Sequence, residues 1–258
     1  MSSIDPRAIV DPNAKIDDNV TIGPYAVIGP DVEIGAGTWI GPHAVIEGPT
    51  RIGRDNKIFQ FASIGAEPQD KKYAGEPTVL EIGDRNLFRE FVTVNRGTVQ
   101  GGGITRVGDD NWIMAYCHIA HDCIVGNKTT FSNSASLAGH VIVEDHAILA
   151  GFTLVHQFCR IGEHSFSGFG SVVNRDVPPY VTVAGNVAVP HGLNSEGLRR
   201  HGVSAETIRM LKRAYRIIYK SGLRLEEAKA ELATLAEETP EVGRLLAFLD
   251  KCERGIVR

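Results

Sequence analysis

A large aliphatic residue occupies every sixth position over the first quarter of the chain. The uninterrupted run consists of Ile4, Val10, Ile16, Ile22, Ile28, Ile34, Ile40, Ile46, Ile52, Ile58 and Ile64. The spacing returns at Ile82 and, after a shift of one position, continues from Val107 to Ile161. Because six residues suffice only for a short strand and a turn, this period predicts an all-β parallel β-helix of hexapeptide repeats. Three hexads complete one triangular coil of about 18 residues, and stacked coils lie ~4.8 Å apart.

Two polar segments rich in glycine or proline interrupt the repeat, at residues 66–80 and 96–106. Long loops within a regular repeat usually carry function or contact another subunit. We therefore treat residues 1–190 as one β-helical domain that carries both loops.

Beyond residue 190 the composition changes from β-branched residues and glycine to strong helix formers. The pattern predicts a helix capped by Ser204, a second that contains Leu225 and stops before Pro240, and a third beyond that proline. We expect residues 191–258 to form a small α-helical domain that covers the open end of the β-helix.

Composition argues against several classes of protein. No apolar run approaches the ~20 residues that a membrane-spanning helix needs, and the first residues lack the features of a signal peptide. The four cysteines show no CxxC spacing, which argues against a disulfide framework or a zinc ribbon and favours the reducing cytoplasm. The net charge of −4 argues against a general nucleic-acid-binding protein.

Histidines concentrate in one part of the predicted β-helix. Residues 18 apart stack on neighbouring coils, so His121 is in register with Gly139, and Asp122 with His140. The whole group contains His118, His121, Asp122, His140, His156 and Gln157. A neutral histidine suits general-base catalysis near pH 7, a carboxylate can fix its tautomer, and a backbone N–H such as that of Gly139 can stabilise an oxyanion. No nucleophile is evident, which favours direct attack of one substrate on another.

Two other interpretations of these histidines stay open at this point. As turn residues they can simply bond to the backbone, and three of them can bind zinc, as in some parallel β-helix enzymes. The chain has no HxxxH spacing, so we expect no metal.

Two charged segments allow a structural or a functional interpretation. Asp70 and Lys72 lie in the first loop, which is either a solvated loop or an anion clamp over a phosphorylated substrate. Residues 199–224 hold eight basic residues and only Glu206 as an acid. They form either a solvated helix face or a surface for a nucleotide diphosphate or an acidic protein.

Over its whole length the chain resembles the bacterial UDP-N-acetylglucosamine O-acyltransferases, which catalyse the first step of lipid A synthesis. The matching segments are 69–78 (QDKKYAGEPT), 96–103 (RGTVQGGG), 118–122 (HIAHD), 137–141 (LAGHV), 155–158 (VHQF) and 176–180 (DVPPY). These segments extend well beyond the hexapeptide pattern that many acyltransferases share.

The resemblance implies a left-handed β-helix and a cytoplasmic homotrimer with active sites between subunits. It implies no resident cofactor, because the donor is an R-3-hydroxyacyl group on the phosphopantetheine of acyl carrier protein. Acyl carrier protein is acidic, which suits the basic segment at residues 199–224. The acceptor is the 3-OH of UDP-N-acetylglucosamine, and neither a nucleic acid nor a membrane span is expected.

The resemblance also implies roles for individual residues. His121 is the general base, Asp122 orients it, and the Gly139 N–H donates to the oxyanion. The residues implied to line the substrate cleft are Asp70, Lys72, His118, His140, His156 and Gln157. Those implied to contact the nucleotide are Asn194, Glu196 and Arg200.

Two positions depart from the family pattern, and a third bears on the length of the acyl chain. Asn95 stands where members often have histidine. His201 stands where they often have a second arginine, so one phosphate contact does not carry over. In the family, a residue near positions 167–170 measures the acyl chain. The resemblance therefore implies that the phenyl ring of Phe169 blocks a long groove, which predicts a preference for about ten rather than about fourteen carbons.

Several neighbouring functions remain alternatives at this point. They are acylation of the 2-amine of a 3-acylated glucosamine, acylation of a 3-amino sugar nucleotide, a metal-dependent hydratase and a non-catalytic scaffold. Enzymes of the first kind usually carry an additional N-terminal domain, whereas the hexads here begin at Ile4.

Overall fold

The computed structural model describes residues 2–258, which contain 28 strands, one short 3-10 helix (Val99–Gly101) and four α-helices. The strands are β1 (Ser3–Ile4), β2 (Ile9–Val10), β3 (Lys15–Ile16), β4 (Thr21–Ile22), β5 (Val27–Ile28), β6 (Val32–Ile34), β7 (Trp39–Ile40), β8 (Val45–Ile46), β9 (Thr50–Ile52), β10 (Lys57–Ile58), β11 (Ser63–Ala66), β12 (Val79–Ile82), β13 (Leu87–Phe88), β14 (Thr93–Asn95), β15 (Ile104–Val107), β16 (Trp112–Ile113), β17 (His118–Ile119), β18 (Ile124–Val125), β19 (Thr130–Phe131), β20 (Ser136–Leu137), β21 (Ile142–Val143), β22 (Ile148–Leu149), β23 (Leu154–Val155), β24 (Arg160–Ile161), β25 (Phe166–Ser167), β26 (Val172–Val173), β27 (Val181–Ala184) and β28 (Val189–Leu193). The helices are α1 (Ser195–Arg200), α2 (Ala205–Lys220), α3 (Leu225–Glu238) and α4 (Pro240–Asp250).

The strands form three sheets that are the faces of a left-handed parallel β-helix. Face 1 has the order β1-β4-β7-β10-β13-β16-β19-β22-β25-β27-β28, face 2 the order β2-β5-β8-β11-β14-β17-β20-β23-β26, and face 3 the order β3-β6-β9-β12-β15-β18-β21-β24. Pairing is parallel except between β27 and β28. His118 pairs with Ser136, and Ser136 with Leu154, so the predicted register of 18 residues is confirmed.

The hexad positions form the core of the β-helix, as the sequence predicts. From Ile22 to Ile161 each of them is buried. The first coil differs, because Ile4 is 44% exposed and Val10 and Ile16 are only partly buried. A terminal coil has a neighbouring coil on one side only, so its inward side chains are covered less completely.

Most turns between faces contain a residue in the left-handed backbone region, and these residues mark three corners. Corner 1/2, between faces 1 and 2, includes Tyr25, His43, Phe61, Phe91, Tyr116 and Phe152. Corner 2/3 includes Asp31, Asp122, His140 and Phe158, and corner 3/1 includes Asp110, Lys128, His146 and His164. Equivalent side chains of successive coils therefore stack along each corner.

The C-terminal segment is helical, and three of its helices were predicted. Ser204 caps α2 through its hydroxyl, and α3 and α4 meet at Pro240. The short α1, capped by Asn194, was not predicted from the sequence. Strands continue to Leu193, so residue 190 lies inside β28, and the division of domains there stays a prediction.

The helices pack around a second apolar cluster that includes the fully buried Tyr180. Tyr215 and Tyr219 of α2 also pack against the core of the β-helix. Among residues 2–258, no helix has the length and apolar character needed to cross a membrane.

Candidate active site

Corner 2/3 gathers both long loops and the histidine cluster. The loop at 66–80 joins β11 of face 2 to β12 of face 3, and the loop at 96–106 leads from β14 to β15 between the same faces. His121, His140 and His156 lie in the turns that connect later strands of these two faces. The interruptions of the repeat therefore border the predicted site.

His121 and Asp122 form a hydrogen-bonded pair. Nδ1 of His121 lies 2.7 Å from Oδ2 of Asp122, whose side chain is 1% exposed. Neighbours on a strand point apart, but Asp122 has φ 61° and the chain turns there, which brings the two side chains together. An ionised carboxylate can only accept, so Nδ1–H donates and Nε2 keeps its lone pair. This is the arrangement of a general base held by a carboxylate.

The buried carboxylate of Asp122 also holds the loop at 96–106. The backbone N–H and the hydroxyl of Thr98 donate to its two oxygens at 2.7 and 2.6 Å. Its own N–H donates to Oγ1 of Thr105 at 2.7 Å. Gly101 lies against the carboxylate so closely that a Cβ there would collide with it. Sequence reasoning missed these roles, although Thr98 and Gly101 lie within the RGTVQGGG segment.

Arg96 connects the two loops. Its guanidinium is buried and donates to the carbonyls of Gly48 and Gly65 at 3.0 and 2.7 Å. It also donates to the Tyr73 hydroxyl at 3.2 Å. A buried charge is stable only with such partners, so Arg96 positions the loop that carries Asp70 and Lys72.

His118 and His140 surround the pair as neutral rings. The His140 ring meets His121 edge-on at 5.2 Å and stacks on Phe158 at 4.4 Å. Burial lowers the pKa of His140, which outweighs the opposite effect of Asp122. Burial, together with the nearby His121, lowers the pKa of His118, whose Nδ1 lies 2.7 Å from Oγ1 of Thr93.

Gly139 packs directly against the imidazole of His121. A Cβ at this position would lie 2.5 Å from Cε1 and 2.8 Å from Nε2 of His121. Within residues 2–258 the Gly139 N–H donates to no other group. The predicted oxyanion donor therefore lies beside the ring and has no competing acceptor.

The other predicted cleft residues lie at the same corner but farther out. The Asp70 carboxylate acts electrostatically on His140, and its Oδ1 accepts from the Lys72 N–H at 2.9 Å. His156 and Gln157 are exposed one coil further on, where Nδ1–H of His156 donates to the Gln157 carbonyl at 3.0 Å.

The predicted nucleotide-binding residues lie elsewhere. Asn194 caps α1 by accepting from the Gly197 N–H, and its amide donates to the His164 carbonyl at 2.9 Å, which fixes it at corner 3/1. Glu196 and Arg200 pair with each other on α1 at 3.3 Å. One chain therefore does not unite these residues with His121 at corner 2/3.

Phe169, the residue predicted to limit the length of the acyl chain, lies at a different corner from His121. It stands in the turn between β25 and β26, at corner 1/2, and is 75% exposed. Its ring contacts Phe152 edge-on at 5.5 Å.

Three side chains at corner 2/3 are close enough together to be considered as zinc ligands. His121, Asp122 and His140 each offer a ligand atom, and these atoms lie within 4.8 Å of one another. Both Asp122 oxygens already accept strong hydrogen bonds, however, so the geometry favours a carboxylate-held base over a metal centre.

Comparison with known proteins matches the chain along its length. Residues 176–257 match the model described as UDP-N-acetylglucosamine O-acyltransferase, domain 2, and residues 104–139 match the bacterial transferase hexapeptide model. Acyl-[acyl-carrier-protein]–UDP-N-acetylglucosamine O-acyltransferases from Alkalilimnicola ehrlichii and Halorhodospira halophila are 65% and 63% identical, with 100% of each chain covered. The crystal structure of UDP-N-acetylglucosamine O-acyltransferase from Moraxella catarrhalis superposes with a TM-score of 0.97 at 48% identity, covering 99% of both chains.

The half-buried His118 predicts a loss of stability in acid. Its pKa in the fold lies below the ordinary 6.5, so below that pH the unfolded chain binds the proton first and the free energy of unfolding falls. The His118→Gln variant removes this proton uptake and should lose less stability between about pH 7 and about pH 5. Urea unfolding at a fixed protein concentration measures the difference.

The matched control is His191→Gln, which changes an exposed histidine on β28. It should retain the acid dependence of the wild type. An equal loss of stability in wild type and the His118→Gln variant would contradict the assignment.

Proposed function

Because the chain belongs to the family of UDP-N-acetylglucosamine O-acyltransferases, we propose that it transfers an R-3-hydroxyacyl group from acyl carrier protein to the 3-OH of UDP-N-acetylglucosamine, in the first step of lipid A synthesis. The observation that carries the mechanism is the pair of His121 and buried Asp122, beside a free Gly139 N–H. The chain itself supplies a base, its orienting carboxylate and an oxyanion donor.

The reaction proceeds by direct attack of the acceptor on the thioester. Nε2 of His121 removes the 3-OH proton as the oxygen bonds to the acyl carbon, and Asp122 stabilises the imidazolium. The Gly139 N–H donates to the oxyanion. Collapse of the tetrahedral intermediate breaks the C–S bond, and His121 returns the proton to the phosphopantetheine thiolate.

The cysteines support a mechanism without a covalent enzyme intermediate. Burial raises the pKa of the Cys117 and Cys123 thiols to about 12, so both stay protonated and unreactive near pH 7. All four cysteines are free, and three are buried. Free buried thiols suit the reducing cytoplasm, where we place the enzyme.

The acyl carrier protein would dock on the basic face of α2. Lys212, Arg213, Arg216 and Lys220 are exposed there, and within residues 2–258 no ion pair neutralises them. Arg209, in contrast, pairs with Glu206. A positive surface of this kind attracts an acidic carrier and raises its association rate.

The active enzyme is a homotrimer in this proposal. Asn194 is fixed at corner 3/1 and begins the helix that carries Glu196 and Arg200, whereas His121 of the same chain lies at corner 2/3. In the closed ring of three subunits that we propose, corner 3/1 of one subunit would lie opposite corner 2/3 of the next. Each cleft then takes its base from one subunit and its nucleotide contacts from another.

Substitutions at His121 and Gly139 test the chemistry. His121→Ala removes the base and should lower the rate of transfer ~10²–10⁴-fold. Gly139→Ala forces the His121 ring aside and should cost at least ~10²-fold. The assay incubates UDP-N-acetylglucosamine with a 3-hydroxyacyl carrier protein and identifies the product by mass, with a 3-amino sugar nucleotide as competing acceptor.

Gly243→Ala, inside α4 with ample space for a methyl group, is the control and should keep full activity. Circular dichroism and gel filtration establish that each variant is folded. Undiminished transfer by folded His121→Ala protein would refute the proposed base.

Mixed oligomers test the shared cleft. Arg200→Ala alters a side chain that is 75% exposed, so this variant should fold normally. Co-expression of Arg200→Ala and His121→Ala subunits should recover about a quarter of the wild-type activity, because that fraction of clefts then holds both native residues. If the cleft lay within one chain, mixing would restore nothing.

Phe169 tests the acyl-chain prediction. With the phenyl ring present we expect a preference for about ten carbons, and Phe169→Gly should shift it toward about fourteen. Specificity constants for carrier-protein donors of graded length measure the shift. Phe152→Gly, which removes the neighbouring ring at the same corner, is the matched control. A wild-type preference for fourteen carbons would contradict the prediction.

A further inference from the structure

A second histidine cluster lies at corner 3/1. His146 and His164 are equivalent residues of neighbouring coils, and His201 follows the last residue of α1. The ligand nitrogens of these three residues lie within 4.8 Å of one another. His146 and His164 are one coil of 18 residues apart, whereas His201 comes from the helical segment 37 residues after His164, so no short motif such as HxxxH marks the cluster.

The three rings form a compact arrangement. His146 and His164 stack with centroids 4.4 Å apart and planes 3° from parallel. His201 meets both edge-on, with centroids at 4.8 and 4.9 Å and planes inclined by 71° and 73°. Stacking along the corner accounts for the first two rings, but it does not require a third imidazole perpendicular to both.

Hydrogen bonding leaves ligand nitrogens available. Nδ1–H of His201 donates to the Gly197 carbonyl at 2.8 Å, so its Nε2 carries the lone pair. Metal-binding histidines are commonly oriented by a bond of this kind from the other ring nitrogen. Nδ1 of His146 is buried and, within residues 2–258, has no hydrogen-bond partner. A buried ring nitrogen without a partner is costly unless a ligand satisfies it.

We propose that His146, His164 and His201 bind a divalent transition-metal ion of the zinc type. The donor set is all imidazole, which suits Zn²⁺, Ni²⁺ or Cu²⁺ and disfavours Mg²⁺ and Ca²⁺, which prefer oxygen ligands. Zn–N bonds of ~2.0–2.1 Å place tetrahedral nitrogens about 3.3 Å apart, so the rings must tilt together on binding. The fourth position would hold water or an anionic oxygen.

Both acidic and basic side chains surround the proposed metal site. Asp145 and Glu163, each next to a ligand in the chain, favour a bound cation, whereas Lys128 and Arg244 oppose it. His201 is exposed and lies on the solvent side of the part-buried pair, which gives the ion a route of entry. A bound ion would join two coils to α1 and so stabilise the helix that carries Glu196 and Arg200.

Metal titration of the full chain tests the proposal independently of the acyltransferase activity. Chelator-stripped protein should bind one Zn²⁺ per chain by calorimetry, and Co²⁺ should give the visible absorption of a tetrahedral site. Saturating Zn²⁺ should raise the melting temperature by roughly 5 °C. His146→Phe keeps the stacked ring, and His201→Gln changes an exposed side chain. Both should weaken binding at least ~100-fold.

Two controls make the outcome decisive. His191→Gln alters a histidine outside the cluster and should leave Zn²⁺ binding unchanged. His121→Gln tests the other cluster, at corner 2/3, and should likewise leave binding unchanged. Binding that survives both His146→Phe and His201→Gln, binding lost only in His121→Gln, or no binding at millimolar Zn²⁺ would each overturn the proposal.

Discussion

The hydrogen bonding of each coil to the next, in a register of 18 residues wherever no long loop intervenes, is the constraint on which the rest of the molecule depends. One inward aliphatic residue per strand holds the register, as at Ile119 and Leu137, because a slip of one position would turn these side chains outward. The register also fixes the positions of the turn residues at the corners. The side chain at a turn therefore stacks on the side chains at the equivalent positions of the neighbouring coils, as Asp122, His140 and Phe158 do.

This constraint explains how much could be predicted from the sequence. The period of six and the 18-residue columns place His121 beside Gly139 and Asp122 beside His140 before any coordinates are known. The 18-residue spacing could not identify the groups that bind the buried carboxylate of Asp122. The bonds from Thr98 arise in a loop that follows no repeat, so its path depends on tertiary contacts such as those of Arg96. The same spacing could not reveal α1, because this helix has only six residues and its cap, Asn194, also bonds it to the β-helix.

The polar groups of corner 2/3 are arranged around the buried carboxylate of Asp122. Its two oxygens accept from the N–H and hydroxyl of Thr98 and from His121, so the buried carboxylate is fully hydrogen-bonded. Burial lowers the pKa values of His118 and His140, so these two rings favour the neutral form beside the imidazolium that forms on His121. The loop and the base are thereby coupled, because moving Thr98 would also disturb the group that orients His121.

The 18-residue register also limits how such a protein can change in length during evolution. A single inserted residue within a strand such as β20 would shift every later core position to the outside, from Val143 to Ile161. An insertion at a corner leaves the register intact, and residues 66–80 and 96–106 are insertions of that kind. New chemistry can therefore be added to this architecture only at its edges, where a longer loop can lie over residues that the stacked coils already hold in place.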